Sequence, residues 1–316
     1  MVDRRPGARV TTGARLHFGL MNTRPPFGGI GVMIDQPQTC VEVTAAERFD
    51  AGPVQPQRLT AIAQRLCTAF LVPCDSSGLP PCAIRVRVSA PPHSGLGSGT
   101  QLALATATAL ANHFELQPTR QQLVETLADR GRRSVIGSLG FFEGGLIAED
   151  GLIENYLPST HWRRLDLPPE WSIVLARPPQ SDSAVCGEAE GQVFAALAAA
   201  PDTVRTELIR TGDRVIRAVE QADFETFAVA LTEFNRASGE LFASQQGGCY
   251  NGPAVTALVQ QMHAVGARGY GQSSWGPTVF AFCPSQREAE QLVAQLPGQV
   301  VTLTQPQPHG AAVEWF

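Results

Sequence analysis

The sequence of 316 residues contains no lysine, and the 24 residues counted as Lys or Arg are all arginine. A strong codon bias explains this absence better than selection at each position does. The chemical consequence is the same in either case: every cationic contact with an anion comes from arginine. Its planar guanidinium suits phosphates and carboxylates because it can donate two parallel hydrogen bonds.

Long apolar runs are also missing, since none approaches the roughly 18 residues that a membrane-spanning helix needs. The first ten residues carry charges with no apolar stretch behind them, so we expect no secretory signal. The net charge of −5 argues against nonspecific nucleic-acid binding, which requires a basic surface. We therefore expect a cytoplasmic protein with no membrane and no nucleic-acid partner.

The seven cysteines are odd in number and include no C-x-x-C pair. Cys67, Cys74 and Cys82 lie close together in sequence but have no histidine at ligand spacing. The sequence therefore predicts buried free thiols in place of disulfides or a zinc site.

Hydrophobic periodicity predicts a mixture of strands and helices, and the length of the chain favours two domains over one. Residues 10–18, 39–45 and 82–89 alternate apolar and polar side chains as strands do, and a Gly/Pro-rich connection at 22–32 joins the first two. Proline and tryptophan interrupt the periodicity near 158–169, which predicts domains at 1–165 and 166–316. The other predicted elements are helices at 57–72, 121–130, 134–139, 187–200, 204–220, 224–242, 253–265 and 286–296, hairpins at 145–156 and 269–283, and strands at 171–176 and 300–304.

The most informative segment is a glycine-rich turn that runs directly into an Ala/Leu/Thr stretch of helical character, PPHSGLGSGTQLALATATAL at 91–110. Gly95, Gly97 and Gly99 lack Cβ atoms, so the backbone can aim several N–H groups at one anion while the following helix adds its positive dipole end. The hydroxyls of Ser94, Ser98 and Thr100 can add hydrogen bonds. The turn therefore indicates a phosphate cradle, and an ordinary tight turn before a core helix is the alternative.

Two further groups of polar residues are candidate site residues. Arg15 and His17 lie two apart on a predicted strand and hence on one face, although a core histidine is an equal interpretation of His17. Asn22 and Asp35 flank the glycines at 28–31. A carboxylate such as Asp35 can bind a metal or a ribose hydroxyl, but a surface-turn carboxylate is the simpler interpretation.

Three segments occur together in the order and approximate spacing of the GHMP superfamily of small-molecule kinases. They are RLHFGLMN at 15–22, PPHSGLGSGT at 91–100 and GYGQSSWGPTVFAF at 269–282. The resemblance implies an α+β, two-domain GHMP-kinase-like fold. Its N-terminal α/β domain would be ribosomal-protein-S5-like and its C-terminal α/β domain ferredoxin-like.

The departures from the kinase pattern resemble one branch of that superfamily, the β-ribofuranosylaminobenzene 5′-phosphate synthases. His93 and Gly99 replace a glycine and a serine of the usual loop, and GRRSVIGSLGFFEGG stands at 131–145. The branch implies a glycosyltransferase of methanopterin biosynthesis that joins phosphoribosyl pyrophosphate to 4-aminobenzoate or 4-hydroxybenzoate. Carbon dioxide and pyrophosphate are released, and the resemblance implies Mg²⁺ as the cofactor and a homodimer.

The resemblance also assigns expected roles within the site. The phosphate-binding residues would be Ser94, Gly95, Leu96, Gly97, Ser98, Gly99, Thr100 and Arg133, and the catalytic ones Arg15, His17, Arg132, Gln272, Ser273 and Ser274. Asn22 and Trp275 would bind substrate, with the Trp275 indole as a flat face for an aromatic ring and core packing as its alternative. The metal ligands stay unassigned, with Asp35 and Glu143 as weak candidates and Asp182 ranked below them.

Two other functions remain open from the sequence. A true GHMP kinase would bind ATP and commonly uses a lysine, which this chain lacks. A noncatalytic phosphometabolite-binding or scaffold protein would not need so many clustered anion donors.

Overall fold

The computed structural model describes residues 6–25, 27–131, 135–149, 162–179 and 187–316, and in these ranges the chain forms two antiparallel sheets covered by helices. For 187–190 only the helical backbone is described. The strands of these ranges are β1 Ala8–Leu20, β2 Gly29–Ala45, β3 Cys82–Val88, β4 Leu146–Glu149, β5 Trp162–Leu165, β6 Ser172–Arg177, β7 Arg268–Gln272, β8 Val279–Cys283, β9 Val300–Thr304 and β10 Ala312–Trp315. The α-helices are α1 Pro56–Phe70, α2 Ser98–His113, α3 Ile136–Glu143, α4 Gly187–Ala196, α5 Asp202–Glu220, α6 Phe224–Glu240, α7 Ala243–Gln246, α8 Gly252–Ala264 and α9 Gln286–Ala294.

The first sheet has the order β10-β1-β2-β4-β5, and β3 pairs with the other end of the long strand β2. One face of this sheet is covered by α1 and α2. Helix α2 is apolar on nearly every side and is accordingly buried along almost its whole length, as expected for a helix without a polar face. Its leucines and alanines pack with Val41, Val43 and Ile84 of the sheet.

The second sheet has the order β7-β8-β6-β9 and is covered on both faces. Alternate residues of its strands point to opposite sides. Ile173 and Phe280 pack with α5, α6 and the end of β1, whereas Val174 and Val279 pack with α8 and α9. Because α5 and α6 also pack on residues of β2 and β4, one hydrophobic core is shared by the two sheets.

The glycine-rich connection predicted at 22–32 is wrong for its second half, because β2 begins at Gly29. Gly29 and Gly31 pair with Leu20 and His17 of β1. A Cβ atom at Gly29 would lie 2.6 Å from the Gly19 carbonyl oxygen. The glycines therefore permit a close approach of two strands and do not form a turn.

The last strand connects the chain ends. Residues 166–316 are predicted to form a second domain, and in the structure β10 from that range pairs antiparallel with β1, with Val313 opposite Val10.

The predicted helix at 121–130 is a short π-helical segment, Gln122–Leu127, in which the Ala128 amide donates to the Leu123 carbonyl at 2.9 Å.

The six cysteines of the described ranges are free thiols, but the predicted burial is correct only for Cys82 among the three that lie close in sequence, since Cys67 is half-buried and Cys74 is exposed. Within the same ranges no helix has both the length and the apolar character needed to cross a membrane.

Candidate active site

The glycine-rich turn precedes α2 directly, as the sequence predicts. Gly95 and Gly97 have φ values of 79° and 68°, in the left-handed region that favours glycine. Gly97 is the N-cap of α2 and no side chain caps the helix, so the Ser98 and Gly99 N–H groups have no intrahelical acceptor, whereas the Thr100 amide donates to the Gly97 carbonyl at 3.0 Å. The first turn of a 16-residue helix therefore points its donors and its positive dipole end away from the helix.

The turn between β7 and β8 holds the glycine-rich turn against β1. The Ser273 hydroxyl accepts from the His17 amide at 3.0 Å and donates to the Gly95 carbonyl at 2.8 Å. A Cβ atom at Gly95 would lie 2.9 Å from the Gly276 carbonyl oxygen and closer still to that of Ser273. The three predicted segments therefore meet at one place, and Ser273 joins them.

Arg15 lies beside the glycine-rich turn. Its amide donates to the Leu96 carbonyl at 2.9 Å, and a Cβ atom at Gly97 would be 3.3 Å from the Arg15 Nε atom. The Arg15 side chain also lines a pocket of about 100 Å³. This guanidinium thus lies between the anion-binding turn and the pocket.

The pocket is enclosed by β1, α4, α6, α7 and the turn that follows β7. The side chains in its wall include Arg15, His17, Phe194, Gln246, Ser274 and Trp275. Among the described residues that line it, Arg15 alone has a full charge, and no aspartate or glutamate is present. The pocket therefore suits a small ligand that is apolar over most of its surface and carries a negative charge.

His17 lies in this wall with 6% of its surface exposed. Burial, followed by the nearby Arg15 charge, holds the pKa of His17 well below its usual value. The imidazole is therefore neutral at physiological pH, and it can accept a hydrogen bond from a hydroxyl or donate one, depending on its tautomer.

An aromatic cluster forms the opposite wall. The ring of Trp275 lies 5.1 Å from that of Phe242 and 6.2 Å from that of Phe194, centroid to centroid, with interplanar angles of 74° and 88°. These edge-to-face contacts are favourable for aromatic pairs. Trp275 thus packs in a small hydrophobic core and also lines the pocket. Its position is compatible with core packing and with a flat face for an aromatic ring.

Asn235, which was not predicted from the sequence, joins strands β1 and β7 of the site by hydrogen bonds. From α6 its Nδ2 atom donates to the carbonyls of Phe18 and Gln272, at 2.6 and 2.8 Å, and its Oδ1 atom accepts from the Gln272 amide at 2.9 Å. Ser238, one turn later, binds both backbone groups of Leu20 at 2.8 Å. Two buried polar residues three positions apart on the apolar face of a helix were the signal available in the sequence.

Gln272 and Ser274 differ in what their side chains can do. The Gln272 amide is engaged within the protein, since its Oε1 atom accepts from the Asn251 amide and its Nε2 atom donates to the Ser274 carbonyl, each at 2.7 Å. Ser274 is exposed, has a φ of 55°, and its amide donates to the His17 carbonyl at 3.2 Å. Ser274 also lines the pocket.

Several predicted residues have partners away from the pocket lining. The Asn22 side chain accepts from the amides of Thr23 and Ala200, at 2.9 and 3.0 Å. Asp35 accepts from the Thr304 hydroxyl at 2.6 Å and the Gln305 amide at 2.9 Å. The substrate role of Asn22 and the metal role of Asp35 stay predictions.

Glu143 forms an ion pair with Arg120. Within the described part of the chain, no three His, Cys, Asp or Glu side chains group closely enough to hold a metal ion. The described residues therefore offer no cluster of three protein ligands for Mg²⁺, and Glu143 as a metal ligand stays a prediction.

The other predicted site residues lie in the glycine-rich turn or are expected to act with it. Ser94 closes the turn by donating to the Pro91 carbonyl at 2.7 Å, whereas Ser98 and Thr100 lie half-buried in the first turn of α2. Arg132, Arg133 and Asp182 lie outside the described residues. A different arginine, Arg58 of α1, has its Nη1 atom 3.0 Å from the Cβ position of Gly99. No sequence pattern marked Arg58, because its closeness to Gly99 arises from the packing of α1 on α2.

Comparison with known families agrees with this arrangement. The model for the GHMP kinases N terminal domain matches residues 58–141, and that for the GHMP kinases C terminal domain matches residues 215–301. The chain belongs to the GHMP kinase superfamily, and the fold class predicted from the sequence is confirmed.

The relatives within that superfamily are more specific. The beta-ribofuranosylphenol 5′-phosphate synthase of Methanothermobacter thermautotrophicus is 28% identical over 86% of this chain and 87% of its own length. The protein of the same name from Archaeoglobus fulgidus is also 28% identical, over 88% of each chain. These relatives confirm the branch that the sequence motifs predict.

Among solved structures, the homoserine kinase from Cytophaga hutchinsonii superposes with a TM-score of 0.68 over 99% of both chains, at 15% identity. At this identity the likeness shows the shared fold alone.

Proposed function

We propose that the protein is a pentosyltransferase that joins phosphoribosyl pyrophosphate to an aromatic acid, with release of carbon dioxide and pyrophosphate. The product is a β-ribofuranosyl-benzene 5′-phosphate, an intermediate of methanopterin biosynthesis. The names of the relatives specify a ribofuranosylphenol 5′-phosphate, which favours 4-hydroxybenzoate over 4-aminobenzoate as the acceptor.

The observation that carries this proposal is the position of Arg15. Its Nε atom lies 3.3 Å from the position that a Cβ atom on Gly97 would take, and Arg15 also lines the aromatic-walled pocket. A diphosphate held by the first turn of α2 would place the sugar carbon that bears it next to an acceptor in the pocket. Such positioning converts a two-substrate reaction into one between neighbours, which lowers the barrier by several kcal/mol.

The reaction can be completed with the residues available. The bond between ribose C1 and the diphosphate oxygen breaks, and its electron pair leaves with the pyrophosphate. The ring carbon that bears the carboxylate forms the new bond to C1, and the carbon–carboxylate bond then breaks to release carbon dioxide and restore the aromatic ring. No covalent enzyme intermediate, oxidant or reductant is required.

Three groups of the site support individual parts of this reaction. The N–H groups of the first turn of α2, together with Arg15, favour the negative charge that develops on the leaving pyrophosphate. Neutral His17 can hold the acceptor hydroxyl. The aromatic wall of Phe194, Phe242 and Trp275 solvates an anion poorly, which favours neutral carbon dioxide over the carboxylate.

The proposal includes Mg²⁺ only as a partner of the diphosphate. Mg²⁺ is commonly bound through substrate phosphates and waters, with one or two protein carboxylates. Because the described residues offer no carboxylate cluster, we assign no step of the reaction to a protein-held metal.

The direct test is product formation by the purified protein. Phosphoribosyl pyrophosphate, Mg²⁺ and carboxyl-labelled 4-hydroxybenzoate should yield labelled carbon dioxide and pyrophosphate in equal amounts, with 4-aminobenzoate as the second acceptor tested. Arg15→Gln should lower kcat/KM by about 10- to 150-fold, because it removes a hydrogen bond to a charged group worth about 1.5–3 kcal/mol. Arg9→Gln, on the same strand but paired with Glu42 and Glu314, is the matched control and should leave kcat/KM unchanged.

A different outcome would favour the kinase alternative. If neither acid releases carbon dioxide and the protein consumes ATP in the presence of a small alcohol such as homoserine, the transferase proposal is wrong. ATP consumption is therefore measured in the same preparations.

A further inference from the structure

Phe194 is the one aromatic residue of the pocket wall that comes from α4. Its ring lies 5.6 Å from that of Phe242 and 6.2 Å from that of Trp275, and it is 9% exposed. Of the other aromatic residues that line the pocket, Phe18 comes from β1, Phe242 from the α6–α7 junction and Trp275 from the turn after β7. Phe194 therefore covers the pocket from a separate element of the fold.

The end of α4 is fixed in position by the loop after β1. The Thr23 hydroxyl donates to the Ala198 carbonyl, Asn22 accepts from the Ala200 amide at 3.0 Å, and Arg24 donates to the Ala195 carbonyl at 3.2 Å. Phe27 packs against the Phe194 ring at 5.7 Å and does not belong to the pocket wall. The hydrogen bonds fix the end of the segment that carries Phe194, and the rings of Phe27, Phe242 and Trp275 pack around its ring.

The volume enclosed in this way is small. The pocket has a volume of about 100 Å³, less than the roughly 150 Å³ of an apolar cavity that accommodates benzene. A single substituted ring therefore fills it and extends through its open side. A second fused ring on the side of the aromatic wall would need the space that the Phe194 ring occupies.

We propose that Phe194 sets the size limit of the acceptor, so that the protein uses acids with one aromatic ring and rejects acids with two fused rings. This inference rests on the proposed function, because it assigns the pocket to the aromatic acceptor. Phe194→Ala removes one six-membered ring from the wall, and a second fused ring of a ligand needs that same space. Selection by a rigid wall is an effective way to reject a larger ligand.

The test compares 4-hydroxybenzoate with 6-hydroxy-2-naphthoate, which carries the same two groups at opposite ends of a two-ring system. Binding is measured by calorimetry in the presence of inorganic pyrophosphate, and turnover by release of carbon dioxide. The wild-type protein should bind the naphthoate at least tenfold more weakly than the benzoate. Phe194→Ala should change this ratio by tenfold or more in favour of the naphthoate.

Two variants serve as controls. Phe316→Ala removes an exposed ring that lies under Arg9 and does not line the pocket, and it should leave the ratio within twofold of the wild type. Phe194→Leu retains more of the wall and is used if Phe194→Ala does not fold, with a smaller shift in the same direction expected.

The outcomes separate this inference from the proposed function. An unchanged ratio in a Phe194 variant, or equal binding of both acids by the wild type, overturns the size limit even where carbon dioxide is released. Failure to release carbon dioxide from either 4-hydroxybenzoate or 4-aminobenzoate overturns the proposed function, and the binding ratio then still reports on the size limit. If the wild type binds neither acid, both are overturned.

Discussion

At the scale of single residues, His17 is a titratable group held uncharged. Its backbone joins β1 to the β7–β8 turn, because the amide donates to Ser273 and the carbonyl accepts from Ser274. Its ring is buried in the pocket wall next to a permanent positive charge from Arg15. A neutral imidazole there avoids placing two like charges in one small pocket.

This lowered pKa makes folding stability depend on pH. The unfolded chain takes up a proton on His17 near pH 6.5, whereas the folded protein does so only well below that value. The free energy of unfolding should therefore fall as the pH drops below about 6.5, by up to about 1.4 kcal/mol per pH unit from this residue. Urea unfolding between pH 5 and 8 should show a flatter profile for His17→Gln than for the wild type.

The exposed His309 provides the comparison for this measurement. His309→Gln should keep the wild-type dependence on pH. Parallel profiles for His17→Gln and the wild type would show that the buried imidazole does not cause the loss of stability.

The positions and partners of the site residues were predictable from the sequence only in part. The order of the three motifs brought Arg15, His17 and Ser273 to one place, as the structure confirms. The partners of Asn22, Asp35 and Asn235 were not predictable, because each binds a backbone group distant in sequence. Phe194 was missed because α4 carries no motif and reaches the pocket only through packing.

At the scale of elements, the glycine-rich turn packs directly against the turn between β7 and β8. Gly95 both needs a left-handed backbone and lies against the carbonyls of Ser273 and Gly276. The sequence indicates the first requirement through local turn chemistry. It does not indicate the second, because the contact comes from a segment almost 180 residues later.

Substituting two glycines of similar conformation separates these requirements. Gly78 has a φ of 75° with nothing near its Cβ position, so Gly78→Ala should cost about 1–2 kcal/mol from backbone strain alone. Gly95→Ala adds a steric clash with backbone atoms and should cost clearly more. It should also weaken the binding of phosphoribosyl pyrophosphate, whereas Gly78→Ala should not.

Thermal unfolding and calorimetric titration with phosphoribosyl pyrophosphate check these expectations. Equal stability losses in the two variants would mean that the Gly95 turn relaxes away from Ser273. Wild-type affinity in a folded Gly95→Ala protein would count against this turn as the diphosphate site.

Most helices and strands were predictable, and the exceptions have specific causes. The strand predicted at 300–304 matches β9, and the helices at 204–220 and 224–242 match α5 and α6 within two residues at each end. Strand β2 was predicted too short because Gly29 and Gly31 resemble turn residues in the sequence. Strand β10 was missed because it is short and mostly exposed, so no hydrophobic alternation marks it.

At the scale of the whole molecule, the chain returns at its end to the sheet in which it starts. Strand β10 pairs with residues 8–11 of β1, while the pocket is lined by the other half of that strand, from Arg15 to Leu20. The stability of this sheet edge and the geometry of the pocket therefore depend on different parts of β1. Mutations in β10 should lower the stability of the sheet edge without changing the geometry of the pocket.

Val313 provides the test of this separation. Its side chain packs against the core beneath the first sheet, so Val313→Asp should lower the free energy of unfolding by about 1–3 kcal/mol, the cost of burying an unpaired polar group. Ala312→Asp introduces the same charge at an exposed position of the same strand and should change stability by less than about 0.5 kcal/mol.

Denaturant unfolding and steady-state kinetics distinguish the effects. Both variants should keep the wild-type kcat/KM below their unfolding transitions. A loss of kcat/KM in folded Val313→Asp would show that the sheet edge and the pocket are coupled.

The contact of Ser273 with both His17 and Gly95 has a consequence for how the enzyme is made. A chain that is still being synthesised exposes the glycine-rich turn and the polar strand residues long before the hydroxyl that joins them has been translated. Bringing segments so far apart together is slow relative to local helix formation. We therefore expect that a growing or prematurely terminated chain has no substrate affinity, and that the enzyme becomes active only when nearly all of it has left the ribosome.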